Sequence, residues 1–215
     1  MASRYDAAGP QAEFEPGSRG RVLRNRLGIR RVRDMNQAES EALVAAQNAL
    51  LDQFTLTHRF TAADVCEIHR QWLEAIYPWA GEYRGVNVSK GGFMFAAAAQ
   101  IPRLMEAFAR RELAQETPCQ GMEPARLAVA LAHTHAELVL IHPFREGNGR
   151  CARVLAYLMA VQAGLPSLDF SPFTGRGKPV YFAAVQAAMG NNYAPLETLF
   201  SQAIKKTLSS FGAKP

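Results

Sequence analysis

Residues 141–153 read IHPFREGNGRCAR and gather a histidine, a carboxylate, a Gly-Asn-Gly and three arginines between two apolar segments. Reversing the chain needs a glycine or an asparagine, not this whole set. Pro143 disfavours helical geometry at the residue before it, so a helix arriving from the N-terminal side should stop at His142. The imidazole then projects from the start of a loop, and a reference pKa of about 6.5 suits a general base. Gly147, Asn148 and Gly149 open the next helix. Small residues there leave backbone N–H groups aimed at open space, with the positive end of the helix dipole behind them, which is a cradle for phosphate. Arg150 and Arg153, three apart, share one helical stripe facing that cradle, and each guanidinium can grip phosphate oxygens in a planar fork. Glu146 would repel a phosphate unless it holds Mg2+, which takes one or two carboxylates plus phosphate oxygens. Base, metal ligand, anion cradle and paired cations together suit in-line transfer of a phosphorus group to a hydroxyl. The bland alternative is a surface loop whose arginines pair with nearby acids. Each piece alone fits that reading; the full set in one short turn does not.

Elements that would position this turn follow from hydrophobic period. A helix over 35–54, with Asp34 as N-cap, carries Leu43, Leu50 and Phe54 on one stripe. A second, over 61–77, opens with Thr61 and Asp64 as a capping box and aligns Val65, Ile68, Trp72 and Ile76. A third spans roughly 99–115, with Pro102 in its first turn and Leu104, Met105 and Phe108 inward. The fourth, 124–141, carries Leu127, Leu131, Leu138 and Ile141. A fifth starts near Asn148, with Cys151, Val154, Leu155, Leu158 and Met159 on one face. Two more occupy about 178–189 and 193–209. Only EYRGVNVSKGGFMFA, 82–96, alternates with strand period; Val86 and Val88, a Gly91-Gly92 turn, then Phe93 and Phe95 predict a short β-hairpin.

The chain has 215 residues, enough for a self-sufficient core. Three cysteines (Cys66, Cys119, Cys151), never in a C-x-x-C pair, argue against a disulfide framework or a zinc site. No apolar run suits a membrane span, and the first residues lack the apolar stretch of a secretory signal, so the expectation is a soluble, cytoplasmic protein with no membrane partner. Residues 1–20 and 210–215 are expected to be loose, flanking one domain over 21–209. The formal charge is +5, yet seven arginines fall in 19–33 alone. A nucleic-acid arm is one reading of them; the absence of interleaved aromatic residues for base stacking argues against it. His133 and His135 point about 200° apart on a helix and cannot share an ion. His58 and His69 have no identifiable partners. Cys151 reads as core filler, and Asn191-Asn192 as a turn and cap.

The motif resembles the signature of the Fic family, His-x-Phe-x-(Asp/Glu)-Gly-Asn-Gly-Arg-x-x-Arg. His142, Phe144, Glu146, Gly147, Asn148, Gly149, Arg150 and Arg153 fill every defined position. The stretch YPWAGEYRGVNVSKGGFMFA (77–96) is similar to the family's flap hairpin with its lead-in, and RVLRNRLGI (21–29) resembles the segment opening many bacterial members. The resemblance implies an all-α Fic-fold helical bundle with a short β-hairpin flap, and an enzyme that moves AMP from ATP to a protein hydroxyl. It implies that His142 deprotonates the target, Glu146 positions Mg2+, and the amides of Gly147, Asn148 and Gly149 form an anion hole. Arg150 and Arg153 would hold the outer phosphates, and Phe144 would pack inward. The flap residues Val88, Ser89, Lys90, Gly91, Gly92, Phe93 and Met94 would register the target by adding it as a strand. A kinase-like branch carries a lysine where Gly149 stands, which argues against γ-phosphoryl transfer.

Many relatives restrain themselves with an inhibitory helix reading (Ser/Thr)-x-x-x-Glu-(Gly/Asn). No serine or threonine here is followed by a glutamate four residues later. The resemblance then implies the toxin–antitoxin branch, with a separate small antitoxin supplying the glutamate and type II topoisomerases, DNA gyrase or topoisomerase IV, as targets. The alternatives are a catalytically silent Fic-fold module engaging nucleic acid through its arginines, and transfer of a nucleotide other than AMP.

Overall fold

The computed structural model describes residues 6–7, 11, 13–90 and 93–212. It divides the chain into two compact units, each discontinuous in sequence. One comprises the chain up to Gln53, Ala62–Glu106 and Ile141–Cys151; the other Phe54–Thr61, Ala107–Leu140 and the chain from Ala152. Three of the boundaries between the units fall inside helices.

In the first unit, α1 (Val32–Gln53) packs on α2 (Ala62–Leu73). Met35, Ala46 and Leu50 from α1 and Val65, Ile68, Trp72 and Leu73 from α2 are buried. Each buried Met, Leu, Val or Ile among them contributes about 1.5–3 kcal/mol. Helix α1 starts two residues before Asp34, which therefore sits in the first turn rather than at the N-cap. Helix α2 ends at Leu73, not 77: Pro78 disfavours helix at Tyr77, and the amides of Ile76 and Tyr77 both turn back to the Leu73 carbonyl. The expected hairpin is present as β2 (Val88–Lys90) and β3 (Phe93–Met94), with Ser89 opposite Met94 and Lys90 opposite Phe93. Gly91 and Gly92 lie outside the described residues.

Part of the N-terminal segment lies among the described residues. A strand β1 (Asp6–Ala7) pairs antiparallel with the other edge of β2, so the described sheet has three strands in the order β1-β2-β3. Phe14 bridges to Leu23, and the Gln11 side chain accepts the Gly85 amide. The arginine-rich stretch that follows is folded around Asn25, whose side chain donates to the carbonyls of Leu23 and Ile29 and accepts from the amides of Leu27 and Ile29. All seven of its arginines are exposed.

The expected helix over 99–115 is a succession: a 3-10 turn, α3 (Ile101–Phe108), a π turn (Ala109–Leu113) and a short α4 (Ala114–Glu116). The π turn inserts a residue and shifts the apolar stripe, so Leu113 is buried. Helix α5 (Pro124–Ile141) has the bounds the pattern gives it, and α6 (Asn148–Gln162) starts where the pattern places it. In the second unit α7 (Lys178–Ala188) packs on α8 (Ala194–Gly212). Asn191 takes a left-handed φ of 59° in the turn that ends α7. No helix among the described residues is long and apolar enough to cross a membrane.

Candidate active site

The first unit contains the motif turn up to Cys151. His142 follows the last residue of α5 with a left-handed φ of 55°. That conformation lets the chain leave the helix abruptly but costs a residue with a Cβ roughly 1 kcal/mol. The residue is 4% exposed, and its ring stacks on Phe95 at 3.7 Å. Its carbonyl accepts from Arg84 Nε at 2.8 Å, while the Arg84 amide donates to the Pro143 carbonyl at 2.8 Å. The remaining Arg84 nitrogens reach the carbonyls of Val86 and Ala96, 2.6 and 2.5 Å away. One buried guanidinium thus ties the backbone of His142 to both sides of the flap. Burial, reinforced by Arg145, pulls its pKa down to about 10.

Asn148 closes the turn on itself: Oδ1 accepts the Phe144 amide and Nδ2 donates to the Phe144 carbonyl, both at 2.8 Å. Phe144 is fully buried and lies parallel to the His69 ring at 3.8 Å. His69 accepts the Gly81 amide at Nδ1, which fixes the proton on Nε2, and that N–H donates to the Glu146 carbonyl at 3.0 Å. Burial drives its pKa down to about 4; the bond to Glu146 opposes the shift and the Arg150 charge adds to it. The ring is a neutral strut under the motif. Gly147 has φ +83°, and a Cβ there would stand 2.7 Å from the Trp72 ring, so both backbone and space require glycine.

The Gly147 amide donates to Glu146 Oε1 at 2.9 Å instead of facing open space. The amides of Arg150 and Cys151 both go to the Gly147 carbonyl, whereas no described acceptor takes those of Asn148 and Gly149. Two donors at the α6 N-terminus are therefore available to an anion. Arg150 donates to Glu39 Oε2 at 2.7 Å and stacks over Trp72. Arg153, one turn on, belongs to the second unit, where its charge helps burial push the pKa of His135 down to about 3. No group of three or more His, Cys, Asp or Glu side chains among the described residues converges on a metal position. A single carboxylate at Glu146 fits Mg2+, which completes its shell with phosphate oxygens and water.

Within the flap, Val88 is buried against Val86 and Phe95, while Met94 is 65% exposed. His133 pairs with Glu197 at 3.0 Å and His135 with the Tyr181 hydroxyl at 2.9 Å, so the two point to different partners. Cys151 is fully buried, its Sγ near the Val65 carbonyl, and burial raises its pKa rather than the helix terminus lowering it. His69, Arg84 and Glu39 were not recognisable as site residues from sequence. The one available signal was His69 itself, which falls on the apolar stripe of α2 and so needed buried partners.

Residues 59–160 match the model of the Fic/DOC family. The chain is 29% identical over 185 residues to "Probable protein adenylyltransferase Fic" of Escherichia coli K12, covering 86% of this chain and 88% of the relative. It is 28% identical over 193 residues to "Protein adenylyltransferase VbhT" of Bartonella schoenbuchensis, covering 88% of this chain and 38% of that one. Among solved structures, the ADP-bound N-terminal Fic domain of a cell filamentation protein from Bartonella quintana superposes with a TM-score of 0.71 at 26% identity, over 91% of this chain and 97% of that one. With the motif turn, the preceding helix and the flap all present in one matching frame, the chain is a Fic domain protein.

Proposed function

We propose that this chain is a protein adenylyltransferase that moves AMP from ATP to a hydroxyl side chain of a target protein. The observation that carries the reading is the turn itself. A histidine held by its own backbone, a carboxylate beside it and two unclaimed amides at a helix N-terminus share one rigid loop. His142 takes the proton of the target hydroxyl. The hydroxyl oxygen then bonds to the α-phosphorus, the bond from that phosphorus to the bridging oxygen breaks, and pyrophosphate leaves. Glu146 holds Mg2+, which when bound neutralises charge on the phosphates. The amides of Asn148 and Gly149 face the phosphates, and Arg153 grips an outer one. The flap around Val88–Met94 registers the target segment as an added strand.

The relatives named adenylyltransferases and the ADP-bound neighbour support ATP as the substrate. The finer proposal is a cytoplasmic bacterial toxin whose inhibitory glutamate resides on a separate antitoxin, with a gyrase or topoisomerase IV subunit as target. Its support is the lack of the inhibitory motif in this chain. The functional domain is proposed to span 21–209.

The test is incubation with Mg2+ and a bacterial lysate, using ATP labelled at the α- or the γ-phosphate, with His142→Ala as control. A protein band labelled from the α-position alone and lost in the variant supports AMP transfer. Label from the γ-position would make the enzyme a kinase. A band at the size of a topoisomerase subunit supports the target proposal, and its absence with other bands present removes it. A second reading, an anionic partner for the exposed arginines, predicts nucleic-acid binding lost on neutralising Arg30, Arg31 and Arg33.

A further inference from the structure

Arg150 carries one positive charge and stands between two carboxylates. Its Nη1 donates to Glu39 Oε2 at 2.7 Å, while its Nη2 lies 3.4 Å from Glu146 Oε1. The deeper carboxylate has the stronger hold: the Glu39 side chain is 4% exposed, that of Glu146 9%, and the guanidinium 17%. Glu39 is itself fixed. Its other oxygen accepts the Tyr77 hydroxyl at 2.8 Å, and its backbone carbonyl accepts Trp72 Nε1 at 2.8 Å. Trp72 in turn supports the guanidinium from below, 4.5 Å from ring centroid to Cζ, and presses against Gly147. Sequence spacing gave no hint of this arrangement, since Glu39 lies 111 residues from Arg150.

The geometry points to Glu39 as a positioning residue for the metal carboxylate: it draws Arg150 towards itself, so that the guanidinium does not compete with a divalent cation for Glu146. Arg150 accordingly serves the floor of the loop. The physical reason is competition. A short charge-assisted bond to a buried carboxylate outweighs a long contact to a second one. Without Glu39, a small rotation would bring Nη2 into full contact with Glu146, and a guanidinium there opposes a cation electrostatically and occupies the oxygen it needs.

The inference rests on the reading of Glu146 as the Mg2+ ligand, and the experiment separates the two. The measurement is the Mg2+ concentration that half-saturates retention of a fluorescent ADP analogue, made alongside the same titration of AMP transfer, with thermal melting as a fold control. Glu146→Gln tests the reading; an unchanged Mg2+ requirement in that variant overturns the metal assignment itself. Glu39→Gln is expected to raise the requirement about tenfold, a loss equivalent to roughly 1.4 kcal/mol. Adding Arg150→Gln to Glu39→Gln removes the competing cation and should return the requirement to within about threefold of the parent, a rescue a purely structural role would not produce. An unchanged requirement in Glu39→Gln, or no rescue in the double variant while Glu146→Gln behaves as expected, overturns the inference alone. Should Glu39→Gln not fold, Arg150→Gln by itself decides: an unchanged or lowered requirement supports the assignment, and a raised one overturns it.

Discussion

The motif turn and the flap lie in the same unit and are built on opposite principles. In the turn, almost every residue answers to a side chain from elsewhere: His142 and Pro143 to Arg84, Phe144 and Glu146 to His69, Gly147 to Trp72, Arg150 to Glu39. In the flap, Val88 of β2 packs only with Val86 and Phe95 in one small apolar cluster, and Met94 stands in solvent. The turn is therefore fixed before any ligand arrives, which catalysis requires because the reacting groups must be held to fractions of an ångström. With β2 paired on both sides, the strand left at the edge of the described sheet on the flap side is β3, beside the exposed Met94, and the proposed partner strand would add there. The Arg84 side chain bonds to both regions, and the His142 ring of the turn stacks on Phe95 of the flap.

That contrast breaks most sharply at His142, the proposed base. His142→Ala should lower AMP transfer on the order of 10²–10⁴-fold with little change in melting temperature, read by α-labelled ATP. Removing the shared tie comes next. Arg84→Met leaves three carbonyls, two of them buried, without their donor and should destabilise the fold by roughly 3–4 kcal/mol in denaturant titration. A rise in flap hydrogen exchange should accompany it; a change confined to the turn would mean the two regions are not coupled there.

The strut under the turn makes stability depend on pH. The folded pKa of His69, about 4, lies below its unfolded value of about 6.5, so the unfolded chain takes up the proton first. The contribution is fully present above 6.5 and is lost as pH falls towards 4, by about 3 kcal/mol over that window. His69→Phe, which keeps the stack on Phe144, should flatten this part of the profile. Some slope must remain, because His135 is held neutral by burial in the other unit. Gly147→Ala follows, with a loss of about 2 kcal/mol from the Trp72 contact and the left-handed backbone together. The flap gives the smallest effect on the fold. Met94→Ser should leave stability within about 0.5 kcal/mol while raising KM for the protein target and sparing KM for ATP.

Much of this architecture was legible in the chain. The helices on either side of the turn begin and end where Pro143, Gly147 and the apolar period place them, because local sterics and burial agree there. Boundaries failed where local signals were weak or overridden. Asp34 looked like a cap, yet Val32 already continues into the helix, and the period over 99–115 concealed a π turn. The supports of the site were illegible for a different reason. His69, Arg84 and Glu39 are 77, 58 and 111 residues from the motif atoms they bond, and each is an ordinary polar residue until the tertiary fold buries it. The N-terminal strand escaped for want of any strand pattern, since pairing on an existing edge needs only backbone.

The chain has two tryptophans, and both belong to the unit that carries the turn. Trp72 lies beneath Gly147 and the Arg150 guanidinium, and Trp79 stacks on Tyr77 beside His69. Intrinsic indole emission is therefore a label-free optical reporter of the catalytic floor and is blind to the other unit. Adding nucleotide should shift it, and a melt followed by emission should part from one followed by far-ultraviolet dichroism if the two units do not unfold together.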